Sequence, residues 1–150
     1  MVNYQLIVNA FGGDDIFLSM ISKESEVADF LERLKGILEK DDFNVDQNLI
    51  LIQKKKPHDE EHSTPYTLVD LEYDLEDVIA RLKELTISEY SETKIDKDNL
   101  DPPLLFVFGK DINRKLVYVK LKIKESDNQG RCILCVSFHY AKDKMNFPYA

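Results

Sequence analysis

Tyr118 and Lys120 lie in the segment of this chain whose pattern points most directly to chemistry. The residues from Leu116 to Lys124 alternate with period two, which predicts a strand with one buried face and one wet face. The residues expected to point inward are Val117, Val119, Leu121 and Ile123. Those on the other face are Leu116, Tyr118, Lys120, Lys122 and Lys124. A phenol and a row of ammonium groups on a rigid sheet form a surface suited to a phosphodiester.

The next predicted strand, which runs from Cys132 to His139, ends on the side chain best suited to proton transfer near neutral pH. If the two strands pair as a hairpin through the turn at residues 125–130, Tyr118 lies roughly opposite residues 137–139, because antiparallel partners keep a constant index sum. This geometry allows a phosphate group to lie between Tyr118 and His139.

The charge distribution divides the chain into two parts. The net charge is −8 overall, but residues 1–100 carry 11 Lys and Arg against 23 Asp and Glu, giving −12, whereas residues 101–150 carry 9 against 5, giving +4. Since the Debye length is about 8 Å at physiological salt, a basic C-terminal sheet can attract phosphate although the molecule is acidic. The asymmetry is equally compatible with two ordinary solvated surfaces.

Length and composition predict one domain over residues 1–150, with a hydrophobic fraction of 43% that suffices for a core. No apolar run approaches the roughly 20 residues that span a bilayer, and the N-terminus lacks the features of a signal peptide, so we expect a cytoplasmic protein that does not bind membranes. Cys132 and Cys135 stand three apart on a predicted strand, which places them on opposite faces. We therefore expect neither a disulfide nor a metal pair.

Hydrophobic periodicity predicts mainly helices before residue 90 and strands after it. A short strand at residues 4–8, closed by Gly12 and Gly13, precedes a helix at residues 25–40 that Ser22 or Ser25 caps. Residues 49–52 are apolar and of ambiguous type, and residues 54–63 form a polar loop in which His58 and His62 lack the helix that a metal pair would need.

Further helices are predicted from Thr64 as N-cap and from Asp74, with a last capping box at residues 86–89. Residues 91–102 are predicted to be a connector, residues 104–108 a buried strand and residues 110–115 a turn. Segregated elements of this kind predict an α+β fold, with N-terminal helices packed on a C-terminal antiparallel β-meander. The uncovered sheet face is then the working surface.

Several short matches give the C-terminal part a resemblance to the MqsR family of bacterial toxins. They are residues 64–90, 106–113, 117–121 and 136–139. The resemblance covers residues 64–150 and, less completely, the helix at residues 25–40, whereas residues 1–20 look like an N-terminal addition. It implies a RelE-like fold and a toxin that acts as a metal-independent endoribonuclease on mRNA, with no cofactor, and that a cognate antitoxin protein neutralises.

The resemblance also suggests site residues. Tyr118 matches the family's active-site tyrosine, and His139 falls where some members have a lysine. A further family lysine corresponds to the Ser91–Glu92 step, with Lys94 the nearest cation, and a family glutamine falls near Val107.

RNA cleavage without a metal needs a base for the 2′-OH proton, cations for the phosphorane and an acid for the 5′-oxygen. We assign catalysis to Tyr118, Lys120 and His139, with His139 as acid or base. RNA contacts are assigned to Lys110, Lys122 and Arg131.

Other interpretations of these residues stay open. A histidine at a strand end is commonly structural, and alternating lysines on an exposed strand commonly serve solubility or prevent edge pairing. The same basic sheet is compatible with a non-catalytic module that binds RNA or a protein. It is also compatible with an enzyme acting on tRNA or ribosome-bound RNA.

Overall fold

The computed structural model describes residues 5–11, 15–126 and 130–150. Three sequence predictions lie outside the described residues: the start of the first strand at Tyr4, the Gly12–Gly13 closure and the middle of the turn at residues 127–129.

The described chain contains seven strands and four α-helices. The strands are β1 (Gln5–Phe11), β2 (Asp15–Ile21), β3 (Leu49–Leu51), β4 (Tyr90–Ile95), β5 (Leu104–Ile112), β6 (Lys115–Ser126) and β7 (Gly130–Tyr140). The helices are α1 (Glu24–Leu38), α2 (Val45–Asn48), α3 (Thr64–Leu71) and α4 (Leu75–Lys83), with short 3₁₀ turns at Glu60–His62 and Ile87–Glu89.

In the described part of the chain the strands form one sheet in the order β1-β2-β4-β5-β6-β7-β3. Strands β5 to β7 form the expected antiparallel meander, and β4 extends it by a strand that was not predicted. The short β3 adds a parallel strand beside β7. The sheet is therefore mixed, whereas an antiparallel sheet was predicted. With the helices concentrated before β4, the α+β class is confirmed.

Two strands were missed by the sequence prediction, β2 and β4. The polar segment Tyr90–Ile95 was predicted as part of a connector, yet it pairs with β2 on one side and β5 on the other. Its polar side chains find hydrogen-bond partners within β4 and in neighbouring segments: Thr93 Oγ1 lies 2.6 Å from the Tyr90 hydroxyl and 2.7 Å from Ser22 Oγ. Because β4 also pairs with β2, the strands β1 and β2 belong to the same sheet as the C-terminal strands.

The helices begin and end close to the predicted positions. The N-cap of α1 is Lys23, not Ser22 or Ser25, and the α3 cap is Ser63, one residue before the predicted Thr64. Asp74 is the N-cap of α4, in a capping box with Asp77, and the predicted capping box at residues 86–89 is present.

The core lies between the helices and one face of the sheet. Val117 and Val119 are 0% and 1% exposed, which confirms the predicted direction of β6. The Phe30 ring of α1 stacks on Phe106 of β5 with 4.2 Å between ring centroids, and this contact joins the longest helix to the sheet. The opposite sheet face, to which Tyr118 belongs, is left to be covered by loops and the C-terminal segment.

No helix in the described ranges is both long enough and apolar enough to cross a membrane. Likewise, no three or more His, Cys, Asp or Glu side chains among the described residues are grouped so that they could hold a metal ion.

Candidate functional site

A cavity of about 690 Å³ opens on the Tyr118 face of the sheet, and we refer to it as the lysine groove. Strands β4, β6 and β7 form its floor, the segment from Ile52 to Lys56 forms one wall, and residues 142–146 form another. Its cationic lining, among the described residues, comprises Lys54, Lys56, Lys94, Lys120, Lys142 and Lys144, against the acids Glu92, Asp98 and Asp143. The excess of cations gives the groove a positive potential that attracts anions.

Tyr118 and His139 lie side by side on the floor of the groove. They are direct cross-strand partners of β6 and β7, in agreement with the predicted hairpin pairing, and side chains of such partners project from the same face. Their rings stack with centroids 5.2 Å apart and an interplanar angle of 13°. Helix α3 holds this end of β7, because Thr64 Oγ1 and Thr67 Oγ1 accept hydrogen bonds from the backbone N–H groups of Phe138 and Tyr140.

The surroundings of His139 favour a neutral imidazole whose Nε2 is basic. Nδ1 lies 3.0 Å from the Tyr140 carbonyl oxygen, and since a carbonyl can only accept, Nδ1 carries the proton in this hydrogen bond. Burial lowers the pKa of His139 below its ordinary value, and the nearby charges of Lys56 and Lys120 lower it further, against the opposing effect of the Tyr140 carbonyl. A neutral ring with Nδ1 protonated leaves Nε2 able to take up a proton.

Tyr118 is held as a neutral phenol beside a charged lysine. Burial raises the pKa of Tyr118 above its ordinary value, opposed by the charge of Lys94 and supported by that of Glu92. Burial by itself would lower the pKa of Lys94, but the Tyr118 oxygen and the Glu92 carboxylate raise it above its ordinary value. The phenol therefore keeps a proton to donate, and Lys94 keeps its positive charge.

Lys94 was noted in the sequence only as a nearby cation, and the structure brings it into the groove. It lies on β4 opposite Ser19 of β2, and its ammonium is 3.4 Å from Glu92 Oε1. Ser19 Oγ donates to the other oxygen of that carboxylate at 2.8 Å. The sequence analysis missed the place of Lys94 in the groove because β4 was not predicted as a strand. Knowing the register of β4 in the sheet would have been necessary to find it.

Lys120 places a partly buried ammonium beside the aromatic pair. Its Nζ lies 6.0 Å from the centroid of the Tyr118 ring. Burial lowers the pKa of Lys120, as do the charges of Lys94 and Lys56, whereas Asp96 and Asp98 oppose this effect. An ammonium with a lowered pKa is a better proton donor than an ordinary lysine.

Lys122 was predicted to lie on the exposed face with Tyr118 and Lys120 and to contact RNA, and the predicted exposure is wrong. The side chain is 1% exposed. Its ammonium donates to Asp96 Oδ2 at 2.6 Å and to the carbonyl oxygens of Asn99 and Pro102 at 2.9 and 3.0 Å. With its three donors occupied, Lys122 fixes the loop between β4 and β5 and does not reach a ligand in the lysine groove.

Lys110, for which an RNA contact was predicted, also lies away from the groove. It pairs with Val117 across β5 and β6, so it projects from the face that the helices cover. Its ammonium lies 3.1 Å from a carboxylate oxygen of Glu89 and 3.9 Å from one of Glu84. It serves as an ion-pair partner at the end of α4.

Arg131 is exposed at the start of β7, where it pairs with Glu125 across the hairpin. His139 lies eight residues further along the strand, which corresponds to roughly 25 Å at the usual rise. Arg131 is thus not part of the groove, and an RNA contact there would require a long ligand.

The two cysteines occupy opposite faces of β7, as predicted. Cys132 pairs with Lys124 and Cys135 with Leu121. Burial raises the pKa of the Cys135 thiol to about 12, so this side chain contributes no thiolate.

The C-terminal segment closes one side of the groove. It can pack against β5 there because Gly109, the cross-strand partner of Tyr118, has no side chain. Phe147 lies over this position. The segment is anchored further along, where Ser91 Oγ donates to the Asn146 carbonyl at 2.7 Å and the Tyr149 hydroxyl donates to the Ser22 carbonyl at 2.5 Å.

Compared with protein-family models, with curated proteins and with solved structures, the chain gives no match.

Proposed function

We propose that the lysine groove binds single-stranded RNA and cleaves it without a metal ion. The observation that carries this proposal is the stacked Tyr118–His139 pair beside Lys120 and Lys94 in a cation-rich cavity. Aromatic rings and lysines in a groove are what unstacked nucleotides bind, through their bases and their phosphates respectively. The same place offers a base, proton donors and cations for phosphodiester chemistry.

In the proposed reaction, His139 Nε2 removes the proton of a ribose 2′-OH, and the 2′-oxygen forms a bond to the adjacent phosphorus. The bond from phosphorus to the 5′-oxygen breaks, and its electron pair leaves with that oxygen, which takes a proton from the Lys120 ammonium. The Tyr118 hydroxyl and the Lys94 ammonium stabilise the charge on the non-bridging oxygens. The products are a 2′,3′-cyclic phosphate and a 5′-hydroxyl, and Lys120 and His139 then exchange protons with water.

The cleavage proposal is tested with a matched pair of lysines on β6. Lys120 lies in the groove, whereas Lys124 follows the same alternation further along and pairs with Cys132. With EDTA present, Lys120→Ala should lower the rate of cleavage of a synthetic single-stranded RNA by about 10²-fold or more, whereas Lys124→Ala should leave it unchanged. If the wild-type protein binds the RNA but does not cleave it, the proposed endoribonuclease activity is wrong and a non-catalytic RNA-binding module is favoured.

We further propose that the chain is a bacterial toxin of RelE-like fold, related to the MqsR family, that acts on mRNA and is neutralised by an antitoxin protein. This rests on the short sequence matches together with the groove. Expression of the chain alone should arrest growth and shorten mRNA lifetimes, and the His139→Ala protein at the same level should not. Normal growth with intact transcripts at high expression of the wild-type chain would contradict the proposal that it is a toxin.

A further inference from the structure

A second cavity, of about 560 Å³, lies between α1 and residues 101–104, over the adjoining parts of β5 and β6. We refer to it as the α1 groove. Helix α1 contributes Glu26, Asp29, Phe30 and Arg33, whose spacing of three and four residues places them along one stripe of the helix. The cavity has a size typical of ligand sites.

The floor of the α1 groove is apolar. The stacked rings of Phe30 and Phe106 form its centre, with 16° between their planes. Leu104 and Ile123 extend the floor, and Pro102 and Pro103 form a wall opposite the helix. Phe30 and Ile123 are each only 4% exposed, so the accessible apolar surface is that of the half-buried Leu104 and Phe106. An aromatic or aliphatic side chain that entered here would be removed from water against these two side chains.

The rim of the α1 groove is acidic, in contrast to the lysine groove. Four carboxylates line it, from Glu26, Asp29, Asp101 and Glu125. Of the two cations in the lining, Arg33 lies 3.9 Å from Glu125 and the Lys122 ammonium is bound to Asp96. The rim therefore keeps an excess of negative charge, concentrated at the exposed Asp29 and Asp101 on either side of the apolar floor.

We propose that the α1 groove is a docking site for a basic peptide segment of another protein, with one large apolar side chain between lysines or arginines. The apolar floor receives the central side chain, and the acidic rim pairs with the flanking cations. Charge complementarity selects this occupant, because the rim would repel RNA, and a neutral apolar ligand would gain no attraction from the exposed Asp29 and Asp101. The groove thus assigns a protein partner to the side of the molecule away from the proposed RNA site.

The test uses the full chain and a fluorescein-labelled peptide, Gly-Lys-Lys-Phe-Lys-Lys-Gly, followed by fluorescence anisotropy. Two control peptides replace Phe by Ser or all four Lys by Glu. We expect saturable binding of the Phe peptide, an affinity roughly tenfold or more weaker for the Ser peptide, since the contribution of a buried phenyl group is lost, and no binding of the Glu peptide.

The matched variants are Asp29→Lys in the groove and Glu32→Lys, an exposed α1 position outside its lining, which changes the net charge equally. Asp29→Lys should weaken the Phe peptide about fivefold or more, and Glu32→Lys less than about twofold. The absence of saturable binding up to about 1 mM, equal affinity for the Phe and Ser peptides, or equal effects of the two variants would overturn the proposal. RNA cleavage measured on the same samples reports on the lysine groove separately, so failure here is distinguishable from failure of the proposed nuclease.

Discussion

The chemistry proposed for the lysine groove depends on two rings that neighbouring strands hold against each other. The Tyr140 carbonyl fixes the proton of His139 on Nδ1, and burial disfavours the imidazolium form. Burial also keeps the phenol of Tyr118 protonated, while Lys94 beside it remains charged. One residue is therefore prepared to accept a proton, and its stacking partner to donate a hydrogen bond.

The pH dependence of cleavage should report on His139. A base acts in its neutral form, so the rate should be constant near pH 7 and fall as the pH drops through the lowered pKa of His139, which lies below the ordinary value of 6.5. We expect the acid limb of the kcat/KM profile to have its midpoint below that value. A midpoint clearly above 6.5, with the rate rising only in alkaline solution, would contradict a depressed histidine base.

Substitutions of Tyr118 should separate the hydroxyl from the ring. Tyr118→Phe keeps the stack on His139 and removes one donor, so we expect kcat to fall by roughly 10²-fold with little change in RNA affinity. Tyr118→Ala also removes the stacking surface, which should cost about 1–3 kcal/mol in RNA binding if a base stacks there. Kinetics and binding isotherms on both variants distinguish these effects, and identical behaviour of Phe and Ala would assign the whole contribution to the hydroxyl.

At the scale of elements, the groove depends on loops and segments that other side chains fix in place. The buried Lys122 holds the loop between β4 and β5, from which Asp98 lines the groove. Burial alone would raise the pKa of Asp96, but the Lys122 ammonium and the N–H groups of Asp98 and Asn99 lower it below its ordinary value. This ion pair therefore contributes stability to the folded protein.

Lys122→Met should destabilise the fold by about 3–5 kcal/mol, because it leaves the Asp96 carboxylate buried without its partner. Since the folded pKa of Asp96 is lowered, the contribution of the pair is fully present above the ordinary carboxyl value of 3.8 and is lost as the pH falls through the folded pKa. Urea unfolding at several pH values measures both effects. Adding Asp96→Asn should recover part of the loss. An unchanged unfolding midpoint in Lys122→Met would contradict the stabilising role of the Lys122–Asp96 ion pair.

Gly109→Ala should displace the C-terminal wall of the groove. A Cβ at this position would lie 2.8 Å from Phe147 Cζ, so the ring must move, at a cost of about 1–2 kcal/mol. Most of the cost should disappear in a Phe147→Ala background if the main clash is with this ring, although Met145 Sδ would still lie 3.0 Å from the added Cβ. Gly36→Ala is the control, because a Cβ there meets nothing within 4 Å and should stabilise α1 by roughly 0.5–1 kcal/mol. Equal losses with and without Phe147 would place the clash elsewhere.

Strand β6 shows what sequence patterns can predict, and β4 shows what they cannot. The alternation around Tyr118 predicted which valines point inward, because side chains of a half-buried strand alternate between apolar and polar. The hairpin register predicted that Tyr118 lies opposite residues 137–139, which include its partner His139. The segment Tyr90–Ile95 is polar, and its strand character comes from main-chain bonds to β2 and β5. Lys122 shares the alternation of Lys120, yet it is buried because a distant loop supplies Asp96, a contact that no local pattern contains.

At the scale of the whole molecule, the two grooves carry opposite charge although the chain is acidic overall. The lysine groove gathers cations from β4, β6, the segment after β3 and the C-terminus, whereas the α1 groove gathers carboxylates from α1 and the loops. The charge division between residues 1–100 and 101–150 anticipates this only in part, because Lys54, Lys56 and Lys94 come from the acidic part of the sequence.

RNA affinity should consequently fall as salt is added. For single strands the slope of log K against log salt is about −0.7 for each phosphate contacted. Lys120→Ala should therefore make the slope shallower by roughly 0.7, and Lys124→Ala should not change it. The slopes are measured by filter-binding titrations between low and physiological salt. Equal slopes for the wild type and both variants would show that Lys120 does not contact a phosphate of the RNA.

The most direct test of the proposed site is cleavage of one synthetic RNA in EDTA by the wild type, His139→Ala and Tyr118→Phe, with folding checked by circular dichroism and products identified by mass spectrometry. We predict wild-type products that end in a 2′,3′-cyclic phosphate, no cut where the attacking ribose is replaced by 2′-deoxyribose, and a rate about 10²–10⁴-fold lower for His139→Ala. Wild-type rates in both His139→Ala and Tyr118→Phe, or cleavage that persists at the 2′-deoxy position, would contradict this account.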